Sequence, residues 1–168
     1  AFLVVKNGYL VKEAYWGSTT NKTMHELESG TKSISSILLA HAVRLGLLST
    51  ETPISRFYPQ LKPLNSDAAS TPLLVHHAIS KAAGCNVTGW QGGPNTNDWN
   101  KQFRLGPPGA PDFVAAHGIL KRPGTDFVYS FANTGLMTGV MNKATNMSCA
   151  AFGEATVFPA LGVKKGTW

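Results

Sequence analysis

The segment Glu28-Ser29-Gly30-Thr31-Lys32-Ser33 places a serine and a lysine three positions apart where an apolar, periodic stretch begins. Residues three apart share one face of a helix, so the spacing predicts that the Lys32 amine reaches the Ser29 hydroxyl. A serine hydroxyl becomes an effective nucleophile when a neighbouring base takes its proton, and a helix N-terminus stabilises a developing oxyanion. Ser29 is therefore the candidate nucleophile and Lys32 its candidate proton partner. The plainer interpretation is a helix cap followed by a solvated lysine.

The sequence on both sides of this segment predicts an alternation of strands and helices. Residues 2–16 contain two β-rich runs around Asn7-Gly8, a strong hairpin signal. Apolar residues over 30–48 recur with a helical period. Further along the chain we predict helices over 71–82 (capped by Thr71-Pro72), 111–120, 134–145 and after Ser148, a strand at 127–129 and a loop over 84–111. Without a linker, residues 1–168 are predicted to form a single domain.

Composition excludes several classes of protein. The 168 residues are 43% hydrophobic and 14% charged, which is typical of a globular chain and not of a disordered one. No apolar run approaches the ~18 residues of a membrane helix, so we expect no membrane span. The net charge of +6 comes from basic residues scattered along the chain, which indicates a solvated surface and no nucleic-acid partner.

Histidine and cysteine spacing does not predict a metal site. The chain lacks the His-x-x-Glu-His and Cys-x-x-Cys patterns. The adjacent His76 and His77 are predicted to point to different helix faces. We therefore expect neither a metal nor another cofactor. Cys85 and Cys149 permit one disulfide without demanding it.

Three N-glycosylation sequons begin at Asn21, Asn86 and Asn146. They favour, weakly, a secreted or extracellular protein. The first residues, from Ala1, lack an initiator methionine and do not form a signal peptide. The expectation is that a leader was removed or that the chain starts inside a longer product.

A second motif, Pro123-Gly124-Thr125-Asp126-Phe127-Val128-Tyr129-Ser130, follows far along the chain. Together with the Ser29–Ser33 motif it resembles the serine β-lactamase-like family, which includes class C β-lactamases, penicillin-binding DD-peptidases, esterases and 6-aminohexanoate-dimer hydrolases. Residues 3–8, 46–59, 71–84 and 158–163 are similar to further segments of that family, in the same order. The resemblance implies an acyl-accepting Ser29, a proton-accepting Lys32 and a Tyr129 that relays a proton to the leaving group.

The resemblance also implies an α/β fold of the β-lactamase/transpeptidase type, with an N-terminal β-hairpin, a mostly helical region and a sheet that is incomplete in this chain. The sequence departs from the pattern of this family in two respects. Phe131 occupies the position where class C enzymes have an asparagine, and Asn133 follows two residues later, a pattern closer to the esterase and oligoamide-hydrolase branch. The family continues well beyond its equivalent of residues 158–163, whereas this chain stops at Trp168.

Two functions remain open on the sequence. The leading one is a serine hydrolase module that acts on a small amide or ester substrate through an acyl-enzyme on Ser29. The alternative is a secreted, non-catalytic structural or assembly protein that retains the scaffold. In either case we expect a second chain, or self-association, to complete the sheet, and weak or no turnover by these residues alone. The substrate itself is not determined.

Overall fold

The fold was analysed in a computed structural model, which describes residues 1–86, 112 and 114–166. The chain divides into two compact units, Ala1–Thr31 and Lys32–Trp168. The predicted loop over 84–111, apart from its first three residues, lies outside the described residues. The assignment of residues 1–168 to a single domain stays a prediction.

The first unit contains the predicted hairpin. Strand β1 (Phe2–Lys6) pairs antiparallel with β2 (Tyr9–Ala14). Asn7 and Gly8 both have positive φ, 52° and 80°, as the tightest hairpin turn requires. The register shifts between Val4 and Val5, a bulge that increases local twist.

Apolar side chains of this hairpin are solvent-exposed on both strands, for example Val5 (66%) and Tyr9 (75%). A two-stranded sheet with an exposed apolar surface is only marginally stable in water. Among the described residues no other strand is added to it. The prediction of an incomplete sheet in this chain is confirmed.

Helix α1 (Thr31–Arg44) opens the helical region. It ends four residues before the predicted Leu48, because Gly46 adopts a left-handed conformation (φ 72°). The Gly46 N–H then donates to the Val43 carbonyl and the Leu47 N–H to the Ala42 carbonyl. These two bonds satisfy the last carbonyls of the helix in a Schellman motif.

Further helices follow α1 and enclose the core. They include α2 (Ser66–Ala69), α3 (Val75–Ile79), α4 (Phe131–Thr145) and α5 (Cys149–Ala155), with 3-10 helices at Ile54–Arg56 and Pro159–Leu161. Helix α4 packs against both α3 and α5. Its buried Leu136 and Val140 meet Leu38 of α1 and Val75 of α3 in one apolar cluster. Ser148 caps α5 as predicted, since its hydroxyl accepts from the Ala151 N–H at 3.1 Å.

Two further predicted helices have different bounds in the structure. Helix α3 begins at Val75, not at Thr71-Pro72, because residues 53–54 hold residues 73–74 extended: Pro53 and Leu74 form a β-bridge, and the Ile54 N–H donates to the Leu73 carbonyl. Of the helix predicted over 111–120, residues 112 and 114–117 are described and are helical, and the helix ends before Gly118 (φ 72°). Ile119 is instead extended and bridges both Pro63 and Cys85.

The segment before α4 also differs from its prediction. Residues 127–129 form no strand. Helix α4 begins three residues before the predicted Thr134, at Phe131, with the extended Ser130 as its N-cap residue. No helix among the described residues is both long enough and apolar enough to cross a membrane.

Candidate active site

Ser29 is solvent-exposed and lies in the 3-10 helix Glu28–Gly30, at the end of the first unit. This turn leads directly into Thr31, the first residue of α1, whose backbone already has helical dihedrals. The prediction that Ser29 stands at a helix N-terminus agrees with this position. The prediction that its hydroxyl converges with Lys32 and Tyr129 stays a prediction.

Lys32 and Tyr129 are brought together in the second unit, although 97 residues separate them in the sequence. The Lys32 Nζ lies 5.5 Å from the centroid of the Tyr129 ring, within the range of a cation–π interaction. The same Nζ lies 5.6 Å from the centroid of the Phe131 ring. Tyr129 is 42% exposed, so part of the residue is accessible to solvent.

Sequence reasoning missed Lys81, which belongs to the same cluster. Its Nζ lies 5.2 Å from the centroid of the Tyr129 ring and donates to Thr134 Oγ1 at 2.5 Å. Burial, followed by the nearby Lys32 ammonium, lowers the pKa of Lys81, while Tyr129 opposes that shift. The only sequence signal was a charged residue near the end of the helix predicted over 71–82, which by itself does not distinguish a site residue from a surface one.

Asn133 does not replace the asparagine that Phe131 displaces. Its amide nitrogen donates to Ser130 Oγ at 2.8 Å and to the Val128 carbonyl at 3.1 Å, and its Oδ1 accepts from the Ala83 N–H at 3.2 Å. The residue is only 2% exposed. All of these partners flank Tyr129 or the turn after α3, so Asn133 supports the site from within the core.

A small cavity of about 100 Å³ opens beside the two lysines. Lys32 and Lys81 line one part of it, and the rest is lined by apolar side chains of α1, α3 and α4, such as Leu39 and Met137, together with serine and threonine side chains of α1 and α4. An apolar wall next to two ammonium groups explains why burial is the largest influence on the pKa of Lys81.

The histidines of α3 differ from the prediction that they point apart. The rings of His76 and His77 meet edge to face with centroids 4.1 Å apart. The reason is that His77 turns back toward the start of α3, where its Nδ1 accepts from the Leu74 N–H at 3.1 Å. His76 Nδ1 instead contacts Glu51 Oε1 at 3.2 Å. Among the described residues, no group of three or more His, Cys, Asp or Glu side chains could hold a metal.

The two cysteines are free thiols, so the Cys85–Cys149 pairing considered from the sequence is not formed. Burial raises the pKa of Cys85 to about 12 and raises that of Cys149 as well. Asn21, Asn86 and Asn146, the sequon asparagines, are all solvent-exposed. Their glycosylation stays a prediction.

Comparison with known proteins identifies the family and the fold of the chain. A family profile described as Beta-lactamase matches residues 1–168. Esterase EstB of Burkholderia gladioli is 25% identical over 153 residues, which are 84% of this chain and 38% of the esterase. The crystal structure of a putative beta-lactamase from Bacteroides dorei superposes with a TM-score of 0.72 at 21% identity, covering 95% of this chain and 45% of that one.

A third similar protein is EstCE1, a hydrolase with promiscuous acyltransferase activity. Its structure has a TM-score of 0.62 at 20% identity and covers 81% of this chain and 37% of its own. The chain belongs to the beta-lactamase family and has the β-lactamase/transpeptidase-like fold. It spans less than half the length of each of these three proteins.

Proposed function

We propose that this chain carries the nucleophile-bearing part of a serine hydrolase that acts on amide or ester bonds through an acyl-enzyme on Ser29. One observation carries the proposal: the lysine that follows Ser29 by three positions lies against Tyr129, with 5.5 Å from its Nζ to the ring centroid. A tyrosine and a lysine in such contact can pass a proton between them, because a nearby ammonium favours the phenolate.

In the proposed first step the Ser29 oxygen attacks the substrate carbonyl carbon, and its proton goes to Lys32 or Tyr129. The carbonyl π bond opens to an oxyanion, which the Ser29 N–H at the helix N-terminus helps to stabilise. When the oxyanion collapses, the bond to the leaving group breaks and Tyr129 supplies that group with a proton. Water then attacks the acyl-enzyme, loses a proton to the same pair and releases the acid with Ser29 regenerated.

The proposed substrate class is a small amide or ester. The similarity to an esterase and to a hydrolase with acyltransferase activity supports this class at the level of the bond that is cleaved. Phe131 beside Lys32 supports the esterase-like branch over the class C branch, since the position lacks the asparagine of the latter.

We also propose that the hairpin of the first unit pairs with further strands, supplied by another chain or by a second copy. Its exposed apolar side chains, such as Val5 and Tyr9, support this. For residues 1–168 alone we accordingly expect weak or no turnover. An extracellular location is proposed from the three exposed sequon asparagines. Mass spectra of the protein from its native source test it, because absence of hexosamine from all three peptides contradicts the proposal.

Covalent labelling tests the nucleophile. The full chain is incubated with a fluorophosphonate and, separately, with a penicillin, and the labelled peptide is identified by mass spectrometry. We expect the adduct on Ser29, its loss in Ser29→Ala, and its retention in the matched variant Ser33→Ala, which removes another exposed hydroxyl nearby in the sequence. Labelling at a different residue, or none with either reagent, contradicts the proposal, and the second result favours the non-catalytic scaffold.

A further inference from the structure

The turn that follows α3 is tied to the segment that precedes α4. The Val128 N–H donates to the Lys81 carbonyl at 2.8 Å, and the Gly124 N–H donates to the Ala82 carbonyl at 2.8 Å. The Ala83 N–H donates to Asn133 Oδ1 at 3.2 Å. Tyr129 therefore lies within a stretch that three consecutive residues of another segment hold in place.

Lys81 contributes to this connection with both its backbone and its side chain. Its carbonyl accepts from Val128, directly before Tyr129, and its Nζ donates to the Ser130 carbonyl (3.3 Å), directly after Tyr129. The Nζ also donates to Thr134 Oγ1 in the first turn of α4. Lys81 has a left-handed backbone (φ 63°), a conformation that an L residue keeps only where the surroundings enforce it.

The Lys81 side chain also places a positive charge close to the Tyr129 ring. Its Nζ lies 5.2 Å from the centroid of the Tyr129 ring, as close as that of Lys32 at 5.5 Å. Among the described residues, the titratable groups that act on Lys81 are Lys32 of α1 and Tyr129 itself. Helix α4 faces it with the neutral Thr134 hydroxyl, and the α4 N-cap residue Ser130 with its carbonyl.

We infer that Lys81 is the positioning residue for Tyr129: it binds the backbone on both sides of the tyrosine and places a second ammonium against the ring that Lys32 also contacts. Its relevance to catalysis rests on the proposed function, whereas its effect on the tyrosine does not. Two ammonium groups beside one phenol favour its ionised form, because opposite charges at this separation stabilise each other.

Titration of the Tyr129 phenol tests the inference without any turnover. The full chain, labelled with ¹³C at the tyrosine ζ carbon, is followed by NMR between neutral and alkaline pH, and Tyr129→Phe identifies the signal. In Lys81→Met, which keeps most of the side-chain stem and removes the charge, we expect the Tyr129 midpoint to rise by about one pH unit. In Lys81→Arg, which keeps the positive charge, we expect the Tyr129 midpoint to stay close to that of the unaltered chain.

Lys143→Met is the matched control. Lys143 Nζ lies 3.8 Å from the centroid of a different ring, Tyr58, so its removal leaves the Tyr129 midpoint unchanged. A Tyr129 midpoint that is the same in folded Lys81→Met as in the unaltered chain overturns the inference. If Lys81→Met does not fold, Thr134→Val tests the inference instead, since it removes only the acceptor of Lys81 on α4. A broadened or shifted Tyr129 signal in this variant supports the role of Lys81. An unchanged signal overturns it.

The labelling experiment separates this inference from the proposed function. If the fluorophosphonate does not react with Ser29 but the Tyr129 midpoint moves in Lys81→Met, the proposed function fails and the positioning role stands. If Ser29 reacts, the pH profile of the labelling rate moves to higher pH in Lys81→Met and returns in Lys81→Arg. A profile that is identical in all three proteins overturns the catalytic relevance of Lys81.

Discussion

Asn133 Oδ1 accepts a hydrogen bond from the Ala83 N–H at 3.2 Å and thereby joins the first turn of α4 to the segment after α3, fifty residues earlier. The bond is buried, and the amide nitrogen of the same side chain has its own two acceptors in Val128 and Ser130. One side chain thus satisfies backbone groups of both segments that hold Tyr129. Because water cannot replace these hydrogen bonds in the interior, removal of this side chain leaves buried backbone groups without a partner and lowers the stability of the fold.

We expect Asn133→Ala to lower the free energy of unfolding by about 1–3 kcal/mol, the range for leaving a buried donor without its acceptor. Urea denaturation followed by circular dichroism measures it. Asn21→Ala, which alters an exposed asparagine, is the control and stays within about 0.5 kcal/mol of the unaltered chain. Equal effects of the two substitutions contradict the assigned role of Asn133.

Gly84 is expected to tolerate no side chain. A Cβ at this position would lie 2.1 Å from the Lys121 carbonyl oxygen, and the residue has a φ of 71°. Gly162 has nearly the same φ (69°) but no atom within 4 Å of a Cβ, so Gly162→Ala measures the backbone strain alone. We expect Gly84→Ala to be less stable than Gly162→Ala by about 1–3 kcal/mol. Similar thermal midpoints for the two variants contradict the close approach.

The stability of the fold is expected to fall on acidification because of His77. Burial, with a smaller contribution from the neighbouring His76, lowers the pKa of His77 below its ordinary 6.5, while Glu51 opposes the shift. The unfolded chain then takes up a proton more readily than the folded one. The contribution of His77 is therefore fully present above about pH 6.5 and is lost as the pH falls from there toward the folded pKa.

Unfolding free energies measured between pH 7.5 and 5 test this expectation. In His77→Gln the decrease in stability over that interval becomes smaller than in the unaltered chain. His25→Gln, a substitution at an exposed histidine of the first unit, keeps the full decrease. If His77→Gln retains the full decrease as well, the acid sensitivity originates elsewhere.

Both thiols are expected to react slowly in the folded chain. The thiolate is the reactive form, and burial raises the pKa of Cys85 to about 12 and that of Cys149 above its ordinary value. With iodoacetamide at pH 8, native alkylation of Cys85 should be much slower than alkylation in guanidinium, where both cysteines react. If neither cysteine reacts in guanidinium without reductant, but both react once reductant is added, the two cysteines form a disulfide. That result contradicts the free-thiol structure.

Local sequence determined the elements whose geometry depends on near neighbours. The Asn7-Gly8 turn, the capping of α5 by Ser148 and the apolar period of α1 were all predictable, because each depends on dihedral preferences or on residues a few positions apart. The family and fold class were also predictable, since several short motifs occur in the family's order along the chain. Ser29, Lys32 and Tyr129 were named as a candidate site on the same basis.

Tertiary structure decided what depends on residues far apart in the chain. Thr71-Pro72 does not start a helix because residues 53–54 pair with 73–74, and residues 127–129 are not a strand because their neighbour is the turn after α3. Lys81 joins the site only because a buried asparagine and a hydroxyl on α4 bring residues 81–83 against residues 128–134. Such contacts depend on burial and on hydrogen-bond partners fifty residues away, which no local pattern encodes.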